Sequence, residues 1–448
     1  MSAAEDLAVA RRLLEAAAKA GAEEADVLLI DSRSNAIGVA GGALEEAERS
    51  ESRDAGLRVL VGRAEACVAS SDLSDTALGE MAERAVAMAR AAPENPYAGL
   101  ADPAALAERR GADGLELSDP DEMPAAARLE EIALAGEAAA LAVAGVEQVE
   151  QASTSWGREH LTVVQSNGFE GAYARSSGSI VVSAIAGTGL GREREYAFEN
   201  RRYWADLPSA EEIGTRAGER AISRLGPRRP PTGRFPVIFD RRVSSSLIGH
   251  VLSAINGRSV ARGASWLMEA RGERILPAGF EIREDPLIVR GPASRPFDAE
   301  GLPTAPRAIV ADGVLQGWVL DLGTARQLEL ESTANARRGL TSGPGPGVSN
   351  IRVTEGETDC AGLMREIGRG LLVTSFIGAS INATTGDYSR GAGGFWIEGG
   401  EIAYPVNEIT LAGNLREMIA GIRPGNDAEM HRAMAVPSLI VEGLTLGA

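Results

Sequence analysis

The chain has 448 residues, of which 44% are hydrophobic and 24% are charged, and its formal net charge is −18. The composition is ordinary for a soluble globular protein, and the length favours two domains over one. The negative charge argues against nucleic-acid binding, because proteins that contact phosphates present a large basic surface.

The same composition bears on the cellular compartment. Cys67 and Cys360 are the only cysteines, and they lie in unrelated contexts, which suits a reducing compartment. The N-terminus lacks a basic region followed by an apolar core, and no apolar run approaches the ~18 residues of a membrane span. We therefore expect a cytoplasmic protein without a membrane segment.

The first half of the chain is predicted to combine helices with antiparallel strands. Residues 4–20 and 75–91 carry apolar side chains at helical spacing, and 124–143 and 210–225 are further helices, the last with Ser209 as its N-cap. Strand patterns occupy 26–31, 37–40, 57–61, 65–69, 146–156, 160–165 and 171–186. Asn167-Gly168 is a strong hairpin signal between two of these strands.

A proline-rich segment divides the chain. Residues 226–233 read GPRRPPTG, and such a segment continues neither a helix nor a central strand. We therefore predict domains of residues 1–226 and 232–448. The predicted fold class is α+β, with a mixed or antiparallel sheet and flanking helices in each domain and a β-rich C-terminal domain.

The second half is predicted to begin with a strand at 235–239 and a helix at 242–256 that Asn256-Gly257 would end. Residues 339–347 resemble a flexible loop. Thr358 would cap a helix that ends near 368–370, and 371–377 is a strand. A helix at 414–420 and a strand at 437–446 complete the domain.

Residues 386–415, GDYSRGAGGFWIEGGEIAYPVNEITLAGNL, are unusually rich in glycine. Gly399-Gly400 separates two short apolar runs and predicts a type I′ or II′ hairpin. Glycine lets the backbone approach another strand or an extended ligand closely. The pattern alone leaves both uses open.

Local motifs reveal no active site. The three histidines, His160, His250 and His431, lie far apart in the sequence, whereas catalytic zinc usually takes two histidines from one helix. Serines at 244–246 stand at a helix start, where they are common caps. Neither a G-x-S-x-G elbow nor a P-loop is present.

The C-terminal half resembles the TldD/PmbA family, and specifically its PmbA (TldE) branch. The resemblance rests on residues 386–415, GHVLSAINGRSV (249–260), ASRPFDAEGLPT (293–304) and DGVLQGWVLD (312–321). It implies a two-subunit metalloprotease in which TldD carries zinc and TldE completes the chamber. Such pairs trim a peptide-antibiotic leader and degrade unfolded or antitoxin peptides, and an older family label is modulator of DNA gyrase.

The chain departs from the TldD pattern where zinc would bind. TldD subunits carry H-E-x-x-x-H, and the matching positions here are Ser245, Ser246 and His250. The family's zinc also takes a cysteine near the C-terminus, and Cys360 is the last cysteine here. The resemblance therefore implies a non-catalytic subunit that needs no cofactor, with zinc only in a TldD-type partner.

The glycine-rich stretch would then contact peptide or partner. An exposed strand edge binds extended peptide through its main chain. The candidate residues are Asp387, Tyr388, Ser389, Arg390, Gly393, Gly394 and Trp396. In this scheme Asp387 and Arg390 pair or orient the loop, and Tyr388 and Trp396 form a wall. A tight β core with Trp396 buried is the alternative.

Two other functions remain open at this stage. The chain could be a peptidase by itself, using His250 with ligands such as His431 or Glu408. It could instead modulate DNA gyrase or a toxin–antitoxin protein by direct binding. When alone, it could form a homodimer through the surface that otherwise meets the TldD-type partner.

Overall fold

The computed structural model describes residues 3–447 and confirms the α+β class. In the first half, the strands are β1 (Glu24–Ala40), β2 (Ala43–Val61), β3 (Ala64–Ser70), β4 (Val146–Gln165), β5 (Glu170–Ala186) and β6 (Glu193–Arg201). The helices are α1 (Ala3–Ala20), α2 (Asp75–Ala91), α3 (Ala126–Leu141) and α4 (Ala210–Ser223). Short 3₁₀ turns span Pro103–Ala105, Gly189–Gly191 and Trp204–Asp206.

The six strands form one antiparallel sheet in the order β3-β2-β1-β4-β5-β6. Alternate residues of a strand point to opposite faces. On β1, Leu29 faces the helices α1 and α2, whereas Leu28 packs with Phe297 of the second half. Helices α3 and α4 cover the other half of the sheet through residues such as Ile213. The sheet therefore presents its second face to the rest of the molecule.

Strands β1 and β4 are longer than their apolar patterns predict. The segments 26–31 and 37–40 belong to one strand, and so do 146–156 and 160–165. Polar residues interrupt each pattern, but the backbone remains paired on both sides, as at Ser32 opposite Ser52 and Glu159. Ladder hydrogen bonds hold this backbone in a strand where the side-chain alternation lapses.

The second half contains three sheets. Its strands are β7 (Gly233–Phe239), β8 (Ile282–Asp285), β9 (Arg307–Ala311), β10 (Val314–Leu315), β11 (Ala336–Arg337), β12 (Gly345–Pro346), β13 (Asn350–Val353), β14 (Arg369–Ile381), β15 (Asp387–Glu398), β16 (Glu401–Asn414), β17 (Arg423–Pro424), β18 (Met434–Ala435) and β19 (Leu439–Gly447). Its helices are α5 (Ser245–Ala254), α6 (Gly257–Ala261), α7 (Leu322–Gln327), α8 (Cys360–Ile367) and α9 (Leu415–Ala420).

The larger sheet of this half has the order β16-β15-β14-β7-β19-β17, and β16 also pairs with β19. That extra pairing, which joins Leu411 to Leu446, closes the sheet on itself. The other sheets are β10-β9-β8-β13-β18 and the pair β11-β12. The core of this half lies between the closed sheet, α5 and the five-stranded sheet.

Two predicted helix boundaries were wrong. The predicted helix 242–256 is α5, which ends at Ala254, and Asn256 starts α6 instead of ending α5. The Asn256 side chain accepts a hydrogen bond from the Arg258 amide at 3.0 Å, so its capping preference acts at an N-terminus. Likewise Asp359, one residue after Thr358, caps α8.

The predicted flexible loop at 339–347 instead packs on the N-terminal sheet. A Cβ added to Gly56 would lie 2.3 Å from the carbonyl oxygen of Leu340, so the two backbones are in close contact. Arg338 is buried in an ion pair with Asp26, which Arg58 also contacts at 2.6 Å. Buried charges need such partners, and here the partners join the two halves of the chain.

Residues 224–232 connect α4 to β7, the first strand outside the N-terminal sheet. The division into domains of residues 1–226 and 232–448 stays a prediction. No helix within residues 3–447 has the length and apolar content that would cross a membrane.

Candidate functional site

Helix α5 follows β7 through a turn that is held by two hydrogen bonds of Ser244. The amide of Ser244 donates to Asp240 O at 2.8 Å, and its buried hydroxyl donates to Val436 O at 3.2 Å. Leu247 and Val251 lie one helical turn apart and are fully buried against the sheet. The turn and this apolar face set the direction in which the rest of the helix points.

The three positions of the expected metal motif face different surroundings. Ser246 donates its hydroxyl to Val243 O at 2.7 Å, whereas Ser245 lines a pocket of arginines between the two halves of the chain. His250 is half-buried and meets the ring of Tyr388 edge-on at 5.9 Å between centroids. The hydroxyls and the imidazole therefore do not converge on one point.

The surroundings of His250 favour the neutral form of its imidazole. Burial lowers the pKa of its imidazole, and the positive charge of Arg390 lowers it further. Its Nε2 is buried without a hydrogen-bond partner among the described residues. A neutral imidazole is the form that binds metal, but a single such ligand does not make a zinc site.

The described residues bring together no set of ligands that fits a zinc ion. Within residues 3–447, no group of three or more His, Cys, Asp or Glu side chains is placed to hold a metal. Burial raises the pKa of Cys67 to about 11 and that of Cys360 to about 12, so neither supplies a ready thiolate.

The ligands suggested for a stand-alone peptidase are not assembled around His250 either. His431 Nε2 lies 3.3 Å from Glu199 of the N-terminal sheet. Glu408 is exposed on β16, beside a break in its register with β15. The placement of these side chains gives no support to that alternative.

The glycine-rich stretch forms β15, β16 and the start of α9. Gly399 and Gly400 have φ values of 63° and 83°, as a type I′ turn requires, so the hairpin prediction is confirmed. The prediction of an exposed edge within this stretch is wrong for β15. That strand pairs with β14 on one side and β16 on the other, so its ladder has no free edge for a peptide.

The polar candidates lie at the outer end of β15. Asp387 is exposed and accepts from Thr385 Oγ1 at 2.7 Å, and the hydrogen bonds from Thr385 and Asn414 lower the pKa of its carboxyl. Ser389 is half-buried and lies between Ser380 and Ala412 in the ladder.

Arg390 is half-buried, with its guanidinium 3.9 Å from the ring centre of Phe376 and Nε donating to Gly378 O at 3.1 Å. The expected pair of Asp387 and Arg390 is therefore not formed. Tyr388 is only 3% exposed, and burial raises the pKa of its hydroxyl to about 12. Its ring faces His250, which leaves little of it for a peptide to contact.

The remaining candidates belong to the core. Trp396 is 1% exposed and packs edge-on against Phe235 at 5.1 Å. A Cβ on Gly394 would lie 1.8 Å from Leu372 O, and one on Gly393 would lie 2.5 Å from the guanidinium of Arg224. The expectation that Trp396 forms a wall of a peptide site is corrected, because its ring faces inward, and the two glycines make room for neighbouring atoms.

A free strand edge lies on the neighbouring strand instead. Strand β14 pairs with β7 only over Leu371–Val373, whereas its pairing with β15 extends to Ile381. In the described structure, residues 375–381 therefore have no strand on their second side. Ile377 is 62% exposed there, and Phe376 stacks under Arg390. The predicted strand 371–377 includes part of this segment. Its free edge could not be predicted from that pattern, because the edge depends on where β7 ends.

Comparisons with known proteins match most of the chain. Family models described as PmbA/TldA metallopeptidase domain 1, central domain and C-terminal domain match residues 25–89, 118–225 and 232–448. The metalloprotease PmbA of Escherichia coli O157:H7 is 36% identical over 89% of this chain and 87% of its own length. A PmbA homolog of Haemophilus influenzae is 34% identical, covering 94% of this chain and 91% of its own length.

Solved structures agree with the fold. A Bacteroides thetaiotaomicron protein described as a modulator of DNA gyrase superposes with a TM-score of 0.92 at 26% identity and covers 100% of both chains. TldE from Thermococcus kodakarensis superposes with a TM-score of 0.86 at 21% identity and covers 98% of this chain and 100% of its own. At that identity the second likeness concerns the fold alone.

Proposed function

The chain belongs to the PmbA/TldD metallopeptidase family, and from this premise we propose that it is the non-catalytic subunit of a two-subunit peptidase. In this complex a TldD-type partner holds the zinc, and this chain helps to form the peptide site. The observation that supports the proposal is the start of α5, where Ser245 and Ser246 stand; by the resemblance to TldD these are the positions of a ligand histidine and the catalytic glutamate.

The chemistry of these two serines supports assigning catalysis to the partner and binding to this chain. A neutral hydroxyl is a poor zinc ligand, and it has no pKa near neutrality with which to accept a proton from water. The Ser246 hydroxyl is in addition engaged with Val243 O at 2.7 Å. This chain would therefore contribute shape and binding, and the partner would supply the metal-bound water.

Unfolded peptide would bind to this subunit along the free edge of β14, residues 375–381. Main-chain hydrogen bonds to a strand edge do not depend on peptide sequence, which suits a protease of unfolded peptides. Ile377 supplies exposed apolar surface at this edge. The contact of Tyr388 with His250 places the edge beside α5.

Co-expression with the TldD-type subunit of the same organism tests the proposal. We expect the two chains to co-purify and to cleave an unstructured peptide, and this chain alone to be inactive. As a control, replacing the motif glutamate of the partner by glutamine should abolish cleavage without separating the chains. Cleavage by this chain alone, or an active partner that gains nothing from it, would contradict the proposal. Sizing of the isolated chain would show whether it forms a homodimer.

The second candidate function is direct binding to DNA gyrase, since the Bacteroides relative is described as a modulator of that enzyme. One observation favours it. The first ten residues of β2, 43–52, are all exposed, and four of them are glutamates: Glu45, Glu46, Glu48 and Glu51. A row of carboxylates can mimic the charge of DNA. Capture of gyrase by this chain without its partner would support this candidate, and capture only alongside a degraded substrate would speak against it.

A further inference from the structure

A pocket rich in arginine lies where α4 and β6 of the first half meet the start of α5 and the segment 429–434. Its cavity measures about 300 Å³. Five arginines line it: Arg216, Arg220, Arg241, Arg242 and Arg432. The chain as a whole carries a net charge of −18, so this concentration of positive charge runs against the general charge of the molecule.

The carboxylates around the pocket do not neutralise it. Among the lining residues, only Glu199 and Glu429 are acidic. Glu199 contacts Arg216 at 3.0 Å and also Arg201, His431 and Arg432, while Glu429 contacts Arg241 and Arg432. Glu195, just outside the lining, pairs with Arg242 at 2.7 Å. Even with Glu195 included, the acids are fewer than the five lining guanidiniums.

Arg220 and Arg216 both have donors left over for a ligand. The only hydrogen bond of the Arg220 guanidinium among the described residues runs from NH1 to Tyr196 O at 3.0 Å, and no carboxylate there forms an ion pair with it. Burial and then the charges of Arg242 and Arg216 lower the pKa of its guanidinium to about 10, so it stays charged at neutral pH. On Arg216, Nε and NH2 are buried without a hydrogen-bond partner in residues 3–447.

The same pocket receives the N-terminus of α5. Ser245, the first residue of that helix, lines the cavity, and helix N-termini favour negative charge. Guanidinium groups bind carboxylates through two parallel hydrogen bonds. The amides of Ser244, Ser246 and Leu247 already donate to backbone carbonyls, so the unpaired arginine donors are what make this cavity a site for a carboxylate.

We propose that this pocket binds a carboxylate of the peptide substrate, either its C-terminus or an acidic side chain. The inference rests on the proposed function, because it assigns a preference for one class of peptide to the subunit that would bind the substrate. Ser245 precedes His250 by about 7.5 Å along the helix axis. Five residues also turn a helix by about 140°, so the carboxylate would lie on a different face of α5 from the segment held beside His250 and the edge of β14.

Fluorescence anisotropy of labelled peptides with the purified full-length chain tests the pocket without any cleavage. One short unstructured peptide is prepared with a free C-terminal carboxylate, as the C-terminal amide, and as the amide with one internal glutamate. We expect at least one carboxylate form to bind about tenfold tighter than the plain amide. The three forms show which source of carboxylate the pocket accepts.

Variants at Arg220 test whether this side chain causes the preference for carboxylate over amide peptides. Arg220→Gln should remove the difference between carboxylate and amide, and Arg220→Lys should restore part of it. Arg128→Gln is the matched control, since Arg128 lies exposed on α3 in a pair with Glu131 and should change nothing. If Arg220→Gln fails to fold, inorganic phosphate added to the wild type should displace the carboxylate peptide and spare the amide.

The outcomes separate this inference from the proposed function. Equal binding of carboxylate and amide by the wild type, or a preference that survives Arg220→Gln, would overturn the pocket assignment even if the two-subunit complex cleaves peptides. A complex that cleaves no peptide, while the isolated chain still prefers carboxylates through Arg220, would leave the pocket standing and refute the proposed function.

Discussion

Strands β14 and β15 have an inner half and an outer half with opposite properties. In the inner half, Leu371–Val373 of β14 lies between β7 and β15, and Trp396 opposite Leu371 is buried. In the outer half, residues 375–381 have a neighbour on one side only, and Ile377 is 62% exposed. One pair of strands thus serves as core at one end and as accessible surface at the other.

The difference shows what glycine does in each half. Gly394 in the inner half is required because the carbonyl of Leu372 occupies the space of a side chain. Gly378 in the outer half has a φ of 60° and sits at a bulge in the ladder, where it bends the strand. Richness in glycine alone therefore does not distinguish packing from recognition, and variants in each half should separate them.

The largest effect is expected from Gly394→Val. A Cβ at this position would lie 1.8 Å from Leu372 O, and backbone in the centre of a sheet has little room to move. We expect most of the protein to be insoluble or to unfold at a much lower temperature. Gly249→Ala is the control, because no heavy atom lies within 4 Å of its added Cβ on α5 and alanine favours a helix. A well-folded Gly394→Val protein would show that the inner half is not closed core.

Trp396→Ala should be the next most damaging change. The side chain is 1% exposed and touches Phe235, so its removal leaves a cavity that costs about 3–5 kcal/mol in the free energy of unfolding. Urea denaturation measures this loss. If the variant kept its stability and instead lost peptide binding, Trp396 would belong to a binding wall after all.

Ile377→Lys tests the outer half. Its side chain is 62% exposed, so we expect a change in unfolding free energy within about 0.5 kcal/mol. A lysine on a strand edge opposes the addition of another strand, and cleavage by the two-subunit complex should fall about fivefold or more. Ile402→Lys, at an exposed position on β16, is the control that should leave both values unchanged. Equal cleavage by the two variants would remove the edge of β14 from the peptide site.

The smallest effect concerns pH and His250, which packs against the outer half through Tyr388. Burial and Arg390 lower the pKa of this histidine in the native state, so the unfolded chain takes up a proton at a higher pH than the folded chain. Stability from this group is present above the unfolded pKa of about 6.5 and is lost as the pH falls through the native value. His250→Gln should flatten this part of the pH profile of the unfolding free energy. An unchanged profile would mean that His250 is not buried in solution.

Local signals in the sequence predicted the local features. Gly399-Gly400 specified its turn through the conformational freedom of glycine, and Ser209 caps α4 as its position before a helical pattern predicted. What decides the candidate site is non-local. The parallel pairing of β14 with β7 stops at Val373, and β16 meets β19 from the end of the chain. No periodicity within one segment shows where a distant strand ends.

The arginine pocket is another feature that local sequence patterns do not predict. Its arginines come from α4, from the turn before α5 and from residue 432, and none of these segments is a basic run in the sequence. Only the packing of the two halves of the chain brings them together. In contrast, the serines at 245 and 246, where the TldD motif has a histidine and a glutamate, are visible from the sequence, because they depend on residue identity alone.

The central claim is that this chain carries no catalytic zinc, and the zinc content of the purified chain tests it most directly. The full-length protein, expressed without a partner in zinc-supplemented medium and then desalted, is measured by mass spectrometry for zinc per chain and assayed on an unstructured peptide. The account predicts far less than one zinc per chain and no cleavage. One zinc per chain together with cleavage that a chelator abolishes would contradict it.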